Sequence, residues 1–229
     1  MSQVFIVGMP RSGSTLLERE ICRHFGAQGL GEHIEMRRIF GRVAEISNSQ
    51  SGIRAVRELN ASHIKTFRQA YLSSLPEGHR SIVVDKMLGN ILRLGLIAIL
   101  FPESRAIYCD RSLEATSVSC FTNVFSQGLQ FTYCLDAIRI VWNDCQRLLA
   151  HWQQVLPIPL QSVNYDNLVR HPDETMESIE SALQLKRIKE PQDVSSIDEH
   201  AMHTASFWQA RQPTYTSSIE HWRRFQIEF

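Results

Sequence analysis

Val4-Phe5-Ile6-Val7-Gly8-Met9-Pro10-Arg11-Ser12-Gly13-Ser14-Thr15-Leu16-Leu17-Glu18 is the stretch whose reading decides the fold. Val4 to Val7 is an apolar run long enough for a buried parallel strand. Gly8 to Gly13 carries a glycine at each end and a proline between, so it is a turn that needs backbone angles other residues resist. Ser14 to Glu18 opens a helix with Leu16, Leu17 and Ile21 on its inward face, and the helix runs out at Phe25-Gly26. Strand, glycine-bearing loop and helix start make an anion cradle, because free N–H groups point at the ligand and the helix dipole favours negative charge there.

Gly8-x4-Gly13-Ser14-Thr15 matches a Walker A loop at all but one position, where Ser14 replaces the lysine. A nucleotide kinase or ATPase needs that lysine on the β- and γ-phosphates. Here the loop's cation is Arg11, earlier in the turn. Arg11, Ser12, Ser14 and Thr15 offer a forked guanidinium, hydroxyls and backbone donors, which suit a phosphate ester bearing a further anionic group and handled without a metal. The competing reading is a tight turn with no ligand, but these polar residues have little packing reason to gather there.

Working outward, the 229 residues read as one domain, 1–229, large enough to bury a sizeable core. Basic and acidic residues balance at 24 each, so no bulk charge argues for nucleic acid or a membrane surface as partner. Cys22, Cys109, Cys120, Cys134 and Cys145 show no CxxC spacing and read as reduced core thiols, which points to a cytoplasmic protein. No secretory leader is expected ahead of the first strand, and Leu94 to Phe101 is too short to span a bilayer. His200 and His203 have no metal-ligand spacing, so no metal site is expected. Oligomeric state is left open.

Gly29 to Glu35 is a second glycine-bearing turn, entering a helix from Met36 to about Ser47. Glu32 and His33 stand at this loop–helix junction, a place for working residues; an ordinary first-turn acid is the alternative for Glu32. After a polar turn, periodicity predicts one helix from Ile53 to Leu75, stopped by Pro76-Glu77-Gly78. Ser81 to Lys86 is a strand ending in charge. Ligands in open α/β sheets gather beyond the carboxyl ends of strands, so Asp85 and Lys86 belong on the loop's edge, unless they merely pair with each other. An apolar helix, Asn90 to Phe101, precedes a strand from Arg105 to Cys109. Arg111 then falls at a strand end, and Ser119 on the same face of the next helix, where the two could clamp a second phosphate; an Arg111–Asp110 pair is the alternative. Leu129 to Val155 reads as a core helix, Leu160 to Tyr165 as a strand, and Glu174 to Leu185 as a helix. A closing helix from Ile219 to Phe229 should turn Trp222 and Phe225 inward. The fold class is α/β: a P-loop-like three-layer domain with a central, mainly parallel sheet flanked by helices.

Several separated segments resemble one family. Phe5 to Leu16 resembles the 5′-phosphosulfate loop of sulfotransferases that use 3′-phosphoadenosine 5′-phosphosulfate, and Cys109 to Ser119 resembles their 3′-phosphate motif. Asp85-Lys86-Met87, Leu92 to Pro102, Val163 to Leu168 and Arg211 to Tyr215 match in order, so the resemblance covers nearly the whole chain. It is most similar to the bacterial branch often fused to TPR repeats and related to tyrosylprotein sulfotransferases, with only the catalytic domain represented.

The resemblance implies a transferase that moves a sulfuryl group in line from that donor to a hydroxyl or amine, on a small-molecule or peptide acceptor, with no metal. Arg11, Ser12, Gly13, Ser14 and Thr15 would hold the 5′-phosphosulfate. Arg111 and Ser119 would hold the 3′-phosphate, with Tyr215 and Ser217 in a loop that closes over it. Tyr165, Thr204 and Ser206 fall where the family contacts adenine, and Lys86 where it neutralises the bridging oxygen. Glu32 is the favoured general base and His33 its substitute, since Leu88 stands where small-molecule relatives carry a histidine. The helices between Glu32 and Leu75 should shape the acceptor pocket. The rival readings are a P-loop nucleotide or small-molecule kinase and a nucleotide-binding module without chemistry.

Overall fold

The computed structural model describes residues 2–46, 52–125, 128–191 and 217–225. The Val4–Val7 run lies in β1 (Ser2–Gly8), and α1 (Ser14–Phe25) follows the loop. Then come β2 (Gln28–Gly29), α2 (Glu35–Ile46), α3 (Gly52–Val56), α4 (Ala61–Ser73) and β3 (Ile82–Asp85). A 3₁₀ turn (Leu88–Arg93) runs into α5 (Leu94–Leu100), followed by β4 (Arg105–Asp110) and α6 (Leu113–Phe121). After a second 3₁₀ turn (Gln130–Tyr133) come α7 (Leu135–Val155), β5 (Leu160–Asn164), α8 (Tyr165–Arg170) and α9 (Pro172–Leu183). The described C-terminal segment is α10 (Ser217–Glu220) and a 3₁₀ turn.

Among the described residues the strands form one five-stranded sheet, ordered β2-β3-β1-β4-β5. Every pairing is parallel, with Val4 opposite Val84 on one side and Arg105 on the other. Alternation along β1 explains the layers. Phe5 and Val7 enter a core with Ile39, Tyr71, Ile97 and Tyr108, while Val4 and Ile6 enter a second with Leu17, Ile21, Met176 and Ile179. A strand buried on both faces has to be apolar throughout, which is why this run was legible. Because all strands point one way, Met9–Gly13, Leu30–Glu32, Lys86, Arg111 and Tyr165 all emerge on one edge.

Several expected elements come out differently. The single helix predicted from Ile53 to Leu75 is two, because Asn60 takes extended angles and its side chain accepts from His63 N at 3.0 Å, which starts α4 afresh. The apolar Asn90–Phe101 helix begins as a 3₁₀ turn, and the Leu129–Val155 region is broken at Cys134. β2 went unread, since two residues ending in glycine carry no apolar run. Tyr165 opens α8 rather than ending β5, as the Asn164 side chain accepts from the N–H groups of Asp166 and Asn167. Phe225 is 38% exposed instead of inward, and Ile219 makes the buried contact there. Cys22, Cys109, Cys120 and Cys145 are buried free thiols; Cys134, expected in the core, is a free thiol on the surface. Among the described residues no helix is long and apolar enough to cross a membrane.

Candidate active site

The β1–α1 loop is held in a shape that leaves its donors open. Gly8 takes φ 144° against β4, where a Cβ would lie 2.8 Å from Cys109 O. Gly13 takes φ 95°, and a Cβ there would lie 2.2 Å from Tyr165 Cδ2. Two thiols brace the loop from below: Cys109 Sγ donates to Ser12 O at 3.1 Å and Cys120 Sγ to Pro10 O at 3.5 Å. Burial pushes both thiols up to about 12, so they keep the protons they donate. The Ser12 hydroxyl is buried and, among the described residues, finds no hydrogen-bond partner. Helices α4, α6 and α8 are capped by the side chains of Asn60, Ser112 and Asn164, whereas α1 has no side-chain cap and no acid in its first turn. An uncapped helix start beside an unsatisfied buried hydroxyl is what an anion site requires.

Arg11 sits inside this loop with φ 65°, an angle non-glycine residues seldom adopt. Its Nε donates to Ser119 Oγ at 3.0 Å. Arg111 Nη1 donates to Arg11 O at 2.8 Å, and the Arg111 guanidinium lies 4.3 Å from the centre of the Tyr165 ring. The structure thus brings Arg11, Arg111, Ser119 and Tyr165 together. The residues expected to hold the two phosphates are therefore adjacent, joined through Arg11. Thr204, Ser206 and Tyr215 lie outside the described residues; Ser217 begins α10.

Asp85 and Lys86 part company at the end of β3. Asp85 turns to the α4 side, accepting from Tyr71 Oη at 2.9 Å and Met87 N at 3.0 Å. Burial raises its pKa to about 7, against the pull of those two donors. Lys86 turns to the loop side and is only 2% exposed; its Nζ stands 3.9 Å from Glu32 Oε1 and 3.9 Å from Glu18 Oε2. Glu32 is half exposed at the cavity rim. His33 faces elsewhere: Nε2 bonds Ser74 Oγ at 2.9 Å and the ring meets Tyr71 edge-on. Burial lowers the His33 pKa, so its neutral form is favoured.

These groups open onto a cavity of about 450 Å³. Arg11, Ser14, Thr15, Glu32 and Lys86 form its polar end, and Asp144 on α7 adds one further acid to the lining. Its walls are Met87, Leu88, Ile91 and Leu92 after β3, Val141 and Leu148 on α7, and Phe125 and Phe131 between α6 and α7. The helices between Glu32 and Leu75 are expected to shape the acceptor pocket, but among the described residues of that span only Glu32 lines this cavity. The α7 residues were read as core, because a helix face lining a cavity and one lining a core have the same periodicity. Glu18 was also missed, although Ser14, Glu18 and Cys22 share the stripe that α1 buries.

A sequence model of the sulfotransferase family matches residues 3–190. The chain belongs to that family. This membership weighs against the kinase reading, as does Ser14 in place of the loop lysine. An uncharacterized protein of Aquifex aeolicus (strain VF5) is 25% identical over 97% of the chain, and the chain spans 30% of that protein's length. Among solved structures, the sulfotransferase domain of the Synechococcus PCC 7002 olefin synthase is similar at TM-score 0.61 and 18% identity, over 100% of this chain and 90% of that one. The sulfotransferase domain from the curacin biosynthetic pathway is similar at TM-score 0.62 and 16% identity, over 99% of this chain and 92% of that one. At these identities the structural likeness speaks to the fold.

Proposed function

We propose that residues 1–229 act as one catalytic domain that transfers a sulfuryl group from 3′-phosphoadenosine 5′-phosphosulfate to the hydroxyl or amine of a largely apolar acceptor. The observation that carries this is the cavity, which starts at Arg11, Lys86 and the open end of α1 and finishes among Ile91, Phe131 and Leu148. The loop fits the donor: among the described residues the Ser12 hydroxyl has no hydrogen-bond partner, α1 has no side-chain cap, and Arg11 lines the same cavity as Ser14 and Thr15. Ser12, Gly13, Ser14, Thr15 and Arg11 would hold its 5′ end. Arg111 and Ser119 would hold the 3′-phosphate, and Tyr165 the base. The free thiols are in keeping with a reducing compartment.

When bound, the donor supplies a sulfuryl group on a bisphosphate leaving group. Glu32 accepts the proton of the acceptor as its oxygen or nitrogen bonds to sulfur. The bridging S–O bond breaks, and its electrons stay with the bisphosphate. Lys86, Arg11 and the loop N–H groups meet the charge that grows on that oxygen, the contribution usually largest in such reactions.

Transfer of ³⁵S from labelled donor to 1-octanol, 2-naphthol, a tyrosine peptide and glucose tests this. Label should pass to the apolar alcohols and not to glucose, and Lys86→Ala should cut the rate roughly 10²–10³-fold. Silence on every acceptor despite donor binding would instead leave a nucleotide-binding module.

A further inference from the structure

Lys86 is buried, yet two carboxylates reach it at the same distance, 3.9 Å: Glu32 from the cavity rim and Glu18 from within α1. Glu18 does not line the cavity and is 6% exposed. Burying a carboxylate is costly, and a buried ion pair replaced as a whole by apolar residues is often neutral or better for stability. Glu18 is nonetheless built in. Its Oε1 accepts the Gly31 N–H at 2.9 Å, one residue before Glu32. The backbone is cut away to admit it, since a Cβ on Gly29 would lie 2.9 Å from the same oxygen. One side chain therefore joins α1, the loop after β2 and the end of β3.

We infer that Glu18 is a positioning residue for sulfuryl transfer: it fixes the Lys86 ammonium and the Gly31–Glu32 backbone so that cation and base face each other at the cavity rim. The inference rests on the sulfotransferase reading above. Glu18 touches neither substrate and acts through Lys86 and Glu32. The charged and titratable groups that face it are Lys86 and Glu32, with Cys22 along α1 and Asp85 on β3 within its field. Burial pushes its carboxyl up, and Lys86 and the Gly31 N–H pull it back. An apolar residue could fill the same volume but could not hold an ammonium in place.

Glu18→Gln keeps the shape and an acceptor for Gly31 N–H while removing the charge. With ³⁵S-labelled donor and 2-naphthol or 1-octanol, it should lower kcat about 10- to 10²-fold, the range expected for misplaced catalytic groups. Donor KM should stay within about twofold, since the anion cradle is untouched. In a Lys86→Ala background Glu18→Gln should cost nothing further, because Gln keeps the Gly31 bond that places Glu32 and the lost charge acts on Lys86. Gly29→Ala, which leaves the carboxylate charged but pushes it aside, should lower kcat in the same way and keeps the test alive should Glu18→Gln fold poorly. Wild-type kcat in both variants, or equal losses in both backgrounds as a merely structural role would give, overturns the inference. If Lys86→Ala loses activity while both variants match wild type, only the role of Glu18 falls. If wild type transfers no label, the sulfotransferase reading falls and takes this inference with it.

Discussion

Glu32 and His33 are neighbours in sequence and opposites in placement. Spacing set both at a loop–helix junction and stopped there, because a junction residue's direction depends on what packs against it. Tyr71 and Ser74 on the α4 side capture His33, while Lys86 draws Glu32 to the cavity. Glu32→Gln should therefore lose at least about 10²-fold in kcat, as expected for a general base. His33→Ala should keep kcat within about twofold and lose roughly 1 kcal/mol of stability with its hydrogen bond. Initial rates and urea midpoints on the same preparations check both, and the reverse pattern would make His33 the base. Arg11 was legible as the loop cation. Its left-handed backbone and its bond to Ser119 were not, since both depend on α6 arriving from 108 residues away.

At the scale of elements, the β1–α1 unit was readable because each part has a local cause: an apolar strand, a glycine turn and a helix with a buried stripe. The glycines make this testable. Gly13→Ala would force a methyl against Tyr165 at φ 95° and should cost more than about 1 kcal/mol. Gly41→Ala, in mid-α2 with nothing within 4 Å of the added methyl, should stabilise by about 0.5–1 kcal/mol. Chemical denaturation of the two variants gives both numbers, and a destabilised Gly41→Ala would contradict the packing described for α2. The α3–α4 break shows the limit of periodicity: the apolar spacing continues through Asn60, but its cap restarts the helix. The wall of the cavity escaped for a related reason, as α7 presents Leu148 to the cavity and Ile138 to the core from one apolar surface.

For the whole molecule, the parallel sheet gathers five strand ends on one edge, and the site follows from that. One cost of the arrangement is Asp85, buried behind the site. The folded chain keeps its proton up to about pH 7, whereas an unfolded aspartate releases it near pH ~3.9. Between these values the folded state binds more protons, so stability falls as pH rises and levels off above about pH 7. Asp85→Asn should flatten that part of the profile, measured as urea midpoint against pH; an unchanged slope would show that Asp85 is ionised throughout. We propose that Arg11 and Arg111, adjacent on that edge, grip two ends of one adenylate. Calorimetric titration of the chain with 3′-phosphoadenosine 5′-phosphate and with adenosine 5′-phosphate, without magnesium, tests it most directly. The bisphosphate should bind at least about 10-fold more tightly, the worth of one charge-assisted contact, and Arg111→Ala should erase the difference. Equal affinity for the two nucleotides in the wild-type chain would contradict it.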